Sequence, residues 1–252
     1  MVVFITGASS GIGAACARKF AANGYSLILN ARSVDKLQEL QDQLQKQYGV
    51  DIFLLPFDVR DRAAAAAAID TLPETFQHID ILVNNAGLAL GIDKEYEGTE
   101  ENYDTMIDTN ITALLMITRM VVPGMVQRQR GHIINIGSVA GDAAYPGGSV
   151  YCATKAAVKV LSDGLRMDLV HTPLRVTNVK PGLVETNFSV TRFAGDKQRA
   201  DNVYKGIEPL KGEDIAEVVY FAASAPAHVQ IAEVLVLATH QASGSIVYRK
   251  TE

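Results

Sequence analysis

Val2-Val3-Phe4-Ile5-Thr6-Gly7-Ala8-Ser9-Ser10-Gly11-Ile12-Gly13 opens the chain, and its reading decides the fold. The apolar, β-branched run Val2–Ile5 suits a strand, and the stretch Ile12–Ala22 behind it suits a helix. Between them lies a glycine-rich turn. Gly7 allows the chain to reverse, Gly11 lets the backbone approach a phosphate, and Gly13 permits close packing of helix on strand. With Ser9, Ser10 and Ile12 completing the turn, the free amides of the helix N-terminus form a seat for the pyrophosphate of a dinucleotide. The spacing is TGxxxGxG rather than GxGxxG. Such turns also occur without a ligand, so the specificity lies in the position after the first strand and before a helix.

The same alternation continues along the chain. Val2–Ile5, Ser26–Leu29, Ile52–Leu55, Ile81–Val83, His132–Ile136, Arg175–Val179 and Val234–Leu237 read as seven strands, each too apolar to keep a wet face. Helical patterns fill Ile12–Ala22, Val34–Tyr48, Arg62–Thr71, Glu101–Gln127, Tyr151–His171 and Gly212–Ser224. Buried strands separated by crossover helices predict an α/β protein: a Rossmann-like, doubly wound parallel sheet of seven strands, with nucleotide at the carboxyl ends of the strands. No linker interrupts the pattern, so residues 1–252 read as a single dinucleotide-binding catalytic domain. The run Ala63–Ala68 is a crossover helix packed closely on the sheet, because alanine is the best helix former. The polar, irregular stretch Glu185–Glu208 has the character of a substrate lid, about residues 185–208.

Composition excludes other classes. The chain has 252 residues, 48% of them hydrophobic, and a net charge of −5. That suits one large domain with a full core and argues against a nucleic-acid partner. The longest apolar stretches read as too short or too interrupted to span a bilayer, and no charged leader precedes the first strand, so a cytoplasmic protein is expected. Cys16 and Cys152 are the only cysteines and show no ligand spacing; both read as small buried hydrophobes. His78, His132, His171, His228 and His240 form no motif, and no metal site is expected.

The cofactor can be narrowed further. The second strand ends at Asn30-Ala31-Arg32-Ser33, where NAD-preferring sites place a carboxylate for the adenosine ribose; Arg32 instead favours a 2′-phosphate, hence NADP. Asp58 and Val59 follow the third strand, where the carboxylate can accept from the adenine amino group. After the fourth strand comes Asn84-Asn85-Ala86-Gly87, small residues that let backbone and amide groups meet the cofactor or lock the central strands; Asn84 reads as structural, Asn85 as cofactor-binding.

Catalysis is suggested by Ser138, Tyr151 and Lys155. A tyrosine titrates near about 10, so it needs a nearby cation to serve as a base at neutral pH. Lys155, on the same helix face as Tyr151, supplies one, and an oxidised nicotinamide would add to its effect. Tyr151 then takes a proton from an alcohol as hydride leaves, or returns one to a carbonyl. Ser138, just beyond the fifth strand, can hold the same oxygen, and Asn110, within the long helix, can position a water that relays protons from Lys155.

In combination these motifs resemble the short-chain dehydrogenase/reductase family over essentially the whole chain: TGASSGIG at Thr6–Gly13, NNAG at Asn84–Gly87, Asn110, Ser138, YCATK at Tyr151–Lys155 and PGLVET at Pro181–Thr186. The resemblance implies that Asn110, Ser138, Tyr151 and Lys155 are a catalytic tetrad. It implies that Lys155 binds the nicotinamide ribose, that Pro181, Gly182, Val184 and Thr186 wrap the nicotinamide, and that the protein is a homotetramer. A closer resemblance, carried by NNAGLALG, MIDTN, GHIINIGS, Thr191–Asp196 and Pro226–Val229, is to NADP-dependent dehydrogenases of small 3-hydroxy acids such as serine, allo-threonine and 3-hydroxyisobutyrate, which also reduce malonic semialdehyde. In this chain Ser33 stands where such relatives often carry a second arginine, and Lys180 where an acidic residue is commoner, a charge change near the nicotinamide. Arg192, in the lid, is one candidate cation for a substrate carboxylate, beside Ser138 and Tyr151; a solvated lid arginine or a contact to a neighbouring subunit is the alternative reading. Two alternatives stand beside this reading: a broad carbonyl or ketoacyl reductase, and a non-catalytic NADP-binding sensor or scaffold.

Overall fold

A computed structural model describes residues 1–250. Seven parallel strands form one sheet in the order β3-β2-β1-β4-β5-β6-β7: β1 (Val2–Ile5), β2 (Ser26–Ala31), β3 (Ile52–Pro56), β4 (Ile79–Asn84), β5 (His132–Ile136), β6 (Arg175–Pro181) and β7 (Glu233–Val236). The chain winds outward from β1 in one direction and from β4 in the other, so the crevice between β1 and β4 lies where the winding reverses. All seven expected strands are present.

The helices are α1 (Gly11–Ala22), α2 (Val34–Tyr48), α3 (Arg62–Asp70), α4 (Glu100–Ile107), α5 (Ala113–Gln127), α6 (Ser149–Asp168), α7 (Phe188–Arg192), α8 (Lys197–Asn202) and α9 (Gly212–Ser224). On one face of the sheet α1, α2 and α9 bury Phe20, Leu37, Leu44 and Val219 against Ile5, Leu29 and Val83. On the other, Ile117, Val121 and Met125 of α5 meet Phe4, Leu82 and Ile133. Alternate residues of one strand thus serve opposite cores, which is why the central strand β1 is wholly apolar and buried.

Several expectations are corrected. The expected helix Glu101–Gln127 is interrupted by a π-helical turn at Asp108–Thr112. The run Glu100–Gln127 is also long and apolar enough to cross a bilayer by length and composition, contrary to the sequence reading; here its α5 half packs on the sheet through Ile117, Val121, Val122 and Met125. β7 is an edge strand and keeps a wet face, with Leu235 47% exposed. The alanine-rich α3 is pressed in less closely than expected, since only Ala65 is fully buried. The stretch expected to be irregular holds two short helices, α7 and α8, the second capped by Asp196, whose carboxylate accepts from the Arg199 amide at 3.0 Å. Cys16 and Cys152 are both buried, and burial pushes the Cys16 thiol up to about 12.

Candidate active site

One cleft of about 620 Å³ runs along the carboxyl ends of the strands and gathers nearly every residue singled out from the sequence. The glycine turn forms its floor. Gly7 and Gly11 take left-handed backbone angles, φ +65° and +53°, which side-chain-bearing residues avoid. Gly13 is required by contact: a Cβ there would stand 2.3 Å from the Gly7 carbonyl oxygen. Ser10 is the N-cap of α1, yet its hydroxyl makes no capping bond, and the first turn holds no acidic side chain. The helix end is therefore left to an external anion, and the residues present fit a dinucleotide pyrophosphate.

The two sides of the crevice are tied together by Thr6 and Asn85. The Thr6 hydroxyl accepts from the amides of Asn85 and Ala86, both at 3.0 Å, and the Asn85 side chain donates to the carbonyls of Thr6 and Gly7 at 2.9 and 3.1 Å. Asn85 lines the cleft as expected, and its side-chain amide also holds the glycine turn in shape. Asn84 is structural as expected: it donates to Asn135 at 2.9 Å and Thr118 at 3.1 Å, and Asn135 passes the chain on to Ser162 of α6 at 2.9 Å.

At the rim stand Arg32, Asp58 and Val59. The Asp58 carboxylate is engaged by Arg60, a residue not anticipated from the sequence, whose Nη2 donates to it at 2.7 Å. This hydrogen bond holds the Asp58 carboxyl below the usual carboxylate range.

The chemical end of the cleft is built by β5, α6 and the turn between them. Ser138 caps the short helical turn Val139–Gly141, accepting from the Ala140 amide at 3.1 Å. Tyr151 and Lys155 lie in the first turns of α6 and are both buried. Lys155 Nζ donates to the Ile136 carbonyl at 2.8 Å and lies 6.0 Å from the Tyr151 ring centroid. Burial pulls the Lys155 ammonium down to about 8. The sequence reading had this lysine lower the Tyr151 pKa; the surrounding protein groups instead raise it, because desolvation of the phenolate outweighs the favourable contact with Ser138.

Asn110 sits in the π-helical turn, a deformation that re-aims side chains. Its carbonyl oxygen accepts from the Leu88 amide at 2.9 Å, and its amide donates to the Leu88 carbonyl at 2.8 Å and to Thr154 at 3.0 Å. Both ends of the side chain are engaged, and they brace the strand-end loop against α6. Gly87 runs between this brace and Lys155: a Cβ there would stand 3.2 Å from Asn110 Oδ1 and 3.4 Å from Lys155 Nζ.

The roof comes from the segment after β6 and from the chain's end. Pro181, Gly182, Val184 and Thr186 line the cleft, and Thr186 lies over the glycine turn, 3.2 Å from where a Gly11 Cβ would be. Arg192, at the end of α7, donates to the Gly91 carbonyl at 3.0 Å and to the Tyr145 hydroxyl at 2.9 Å, facing the same cavity as Ser138 and Tyr151. Lys180 does not line the cleft; it is ion-paired with Asp142 at 2.8 Å and Glu233 at 2.7 Å, so the expected charge change at the nicotinamide is cancelled locally. Tyr145, Phe188 and the tail residues Gly244, Ser245, Val247 and Arg249 also reach the cleft, and no sequence motif announced them.

A family model for short chain dehydrogenases matches residues 1–197. The chain belongs to the short-chain dehydrogenase family. Among the relatives of this short-chain dehydrogenase, an NADP-dependent 3-hydroxy acid dehydrogenase of Schizosaccharomyces pombe is 46% identical over 249 residues, covering 98% of this chain and 96% of the relative. A sulfoacetaldehyde reductase of Chromohalobacter salexigens is 44% identical over 242 residues, covering 96% and 95%. The structure of a closed form of serine dehydrogenase complexed with NADP+ superposes with a TM-score of 0.94 at 43% identity, covering both chains fully.

Proposed function

We infer that this short-chain dehydrogenase is an NADP-dependent oxidoreductase acting on the hydroxyl-bearing carbon of small 3-hydroxy acids. The observation that carries the reading is the placement of Arg192: its guanidinium, bonded to the Tyr145 hydroxyl, faces the cavity that also contains Tyr151 and Ser138. The kinship with 3-hydroxy acid and serine dehydrogenases along nearly the whole chain supports it.

The glycine turn and α1 N-terminus bind the pyrophosphate, Arg32 the 2′-phosphate, Asp58 and Val59 the adenine, and the segment Pro181–Thr186 covers the nicotinamide. When bound, the cofactor would accept hydride in its oxidised, positively charged form and donate it in its reduced, neutral form. Ser138 holds the substrate oxygen, and Tyr151 takes its proton during oxidation or returns it during reduction. Lys155 binds the nicotinamide ribose and, together with the oxidised nicotinamide, offsets the desolvation that raises the Tyr151 phenol, while Asn110 ties the Leu88 loop to Thr154 of α6. Arg192, oriented by Tyr145, receives the carboxylate of the acid; the same pair would receive a sulfonate, consistent with the sulfoacetaldehyde reductase relative. Phe188, whose ring lies 5.6 Å from that of Tyr151, keeps the reacting end apolar.

The active unit is a homotetramer. Val160, Met167 and Val170 on or just beyond α6 and Leu115 on α5 are exposed apolar groups suited to one contact, and Phe221 and Leu235 to another. Light scattering reads the mass directly.

The test is NADP reduction with L-serine, L-allo-threonine and 3-hydroxypropionate near pH 8.5, with NAD as competitor and Tyr151→Phe as control. Turnover that vanishes in the variant supports the reading. Turnover confined to bulky neutral ketones points to a carbonyl reductase, and no turnover with retained NADP binding points to a sensor.

A further inference from the structure

At the adenosine end of the cleft Arg32 does not stand alone. Arg60 Nη2 donates to Asp58 Oδ2 at 2.7 Å, its Nε reaches the two carboxylate oxygens at 3.1 and 3.2 Å, and its backbone N–H donates to Oδ1 at 3.0 Å. Arg32 Nη1 stands 3.9 Å from the same Oδ2. The three side chains form a row, arginine–carboxylate–arginine, but the pairing is lopsided. Arg60 wraps the carboxylate, whereas the Arg32 side chain is 70% exposed and barely engaged.

This lopsidedness matters for an incoming phosphate. A bare carboxylate a few ångströms from a phosphate dianion repels it, and it also competes for the guanidinium the phosphate needs. Arg60 removes both effects without having to touch the nucleotide. Its contacts are the largest cause of the low Asp58 pKa and Arg32 is the smallest, so Asp58 is served mainly by Arg60.

We propose that Arg60 is a positioning residue that sets the preference for a 2′-phosphorylated dinucleotide: by saturating Asp58 it leaves the Arg32 guanidinium available to the phosphate. The inference rests on the assignment of Arg32 to the 2′-phosphate. Without Arg60, Asp58 draws Arg32 across the short gap into an ion pair and leaves a negative charge at the rim. NAD, having no 2′-phosphate, does not need the Arg32 guanidinium, and any change in the Asp58 contact to adenine acts on both nucleotides alike.

The experiment is a fluorescence titration of wild type, Arg60→Gln, Asp58→Asn and the double variant with NADPH and with NADH. Arg60→Gln is expected to weaken NADPH binding about tenfold and NADH binding less than about twofold, the retained NADH affinity showing that the variant is folded. Adding Asp58→Asn is expected to restore the ratio of NADPH to NADH affinity to within about threefold of wild type, because the competing charge is gone and the adenine contact is common to both nucleotides. Equal loss for both nucleotides, no loss for either, or failure of Asp58→Asn to restore the ratio overturns the proposal; the last outcome marks Arg60 as a direct ligand. A wild type that binds both nucleotides equally overturns the Arg32 assignment itself, and this proposal with it.

Discussion

Arg192 donates from Nη1 to the Tyr145 hydroxyl at 2.9 Å, with its guanidinium carbon 5.4 Å from the same ring's centroid. α7 and the loop before α6 are thereby joined across the cleft, and the Arg192 guanidinium is held in the cavity lined by Ser138 and Tyr151. Loss of one charge-assisted contact to a substrate carboxylate typically costs about 1.5–3 kcal/mol. Arg192→Ala is therefore expected to raise KM for 3-hydroxy acids about tenfold to a hundredfold while leaving turnover of neutral carbonyls near wild type. Steady-state kinetics on both substrate types decides it; equal effects would remove Arg192 from carboxylate recognition.

Lys155 is held charged in a site that disfavours charge. Its folded pKa is about 8 against the ordinary lysine value of 10.5, so the ammonium penalises folding below pH 8, and the penalty fades as pH rises to 10.5. Lys155→Met is thus expected to abolish turnover yet stabilise the protein at pH 7 by about 1–2 kcal/mol, after allowing for the lost bond to the Ile136 carbonyl. Denaturant melts at pH 7 and pH 10 check the sign: the advantage of the variant must shrink at the higher pH.

His132 is buried in β5, its Nε2 2.7 Å from the Thr177 hydroxyl, and burial pulls its pKa down to about 3. The folded protein keeps it neutral while the unfolded chain protonates it near pH 6.5, so stability falls as pH drops through that range toward 3. Between pH 7.5 and 5 the loss from this one group is about 2 kcal/mol. His132→Asn should flatten that part of the pH–stability curve, and an unchanged slope would rule the residue out as its source.

Gly13→Ala places a methyl group 2.3 Å from the Gly7 carbonyl oxygen and 2.5 Å from the Asn85 amide nitrogen. Neither can yield without moving the turn, so a loss of about 1–3 kcal/mol in stability is expected, together with a fall in NADPH affinity. Calorimetry with and without nucleotide separates the two effects.

The strands and main helices were legible because their signals are local. The apolar strand runs lie on the observed strands, and α2 and α9 have the expected bounds, because periodicity and flanking turns act within a few residues. Where the reading failed, a distant partner decided. Lys180 lost its expected influence on the cleft because Asp142 and Glu233 flank it. α7 and α8 lie in a polar stretch whose composition signals a loop, and capping by Asp196 stabilises the second.

The site divides along the same line. The amino-acid sequence by itself determined the residue types of the chemistry: the glycine turn, Ser138, and Tyr151 with Lys155 one helical turn apart, all readable because the spacing is short and the backbone geometry is standard. Only the tertiary structure decided how those groups are tuned and completed. Burial sets the Tyr151 and Lys155 pKa values, Arg60 takes the Asp58 carboxylate, and Tyr145 meets Arg192 across the cleft. Desolvation and charge pairing depend on distances through space, and except for the Asp58–Arg60 turn these distances join residues far apart in the chain.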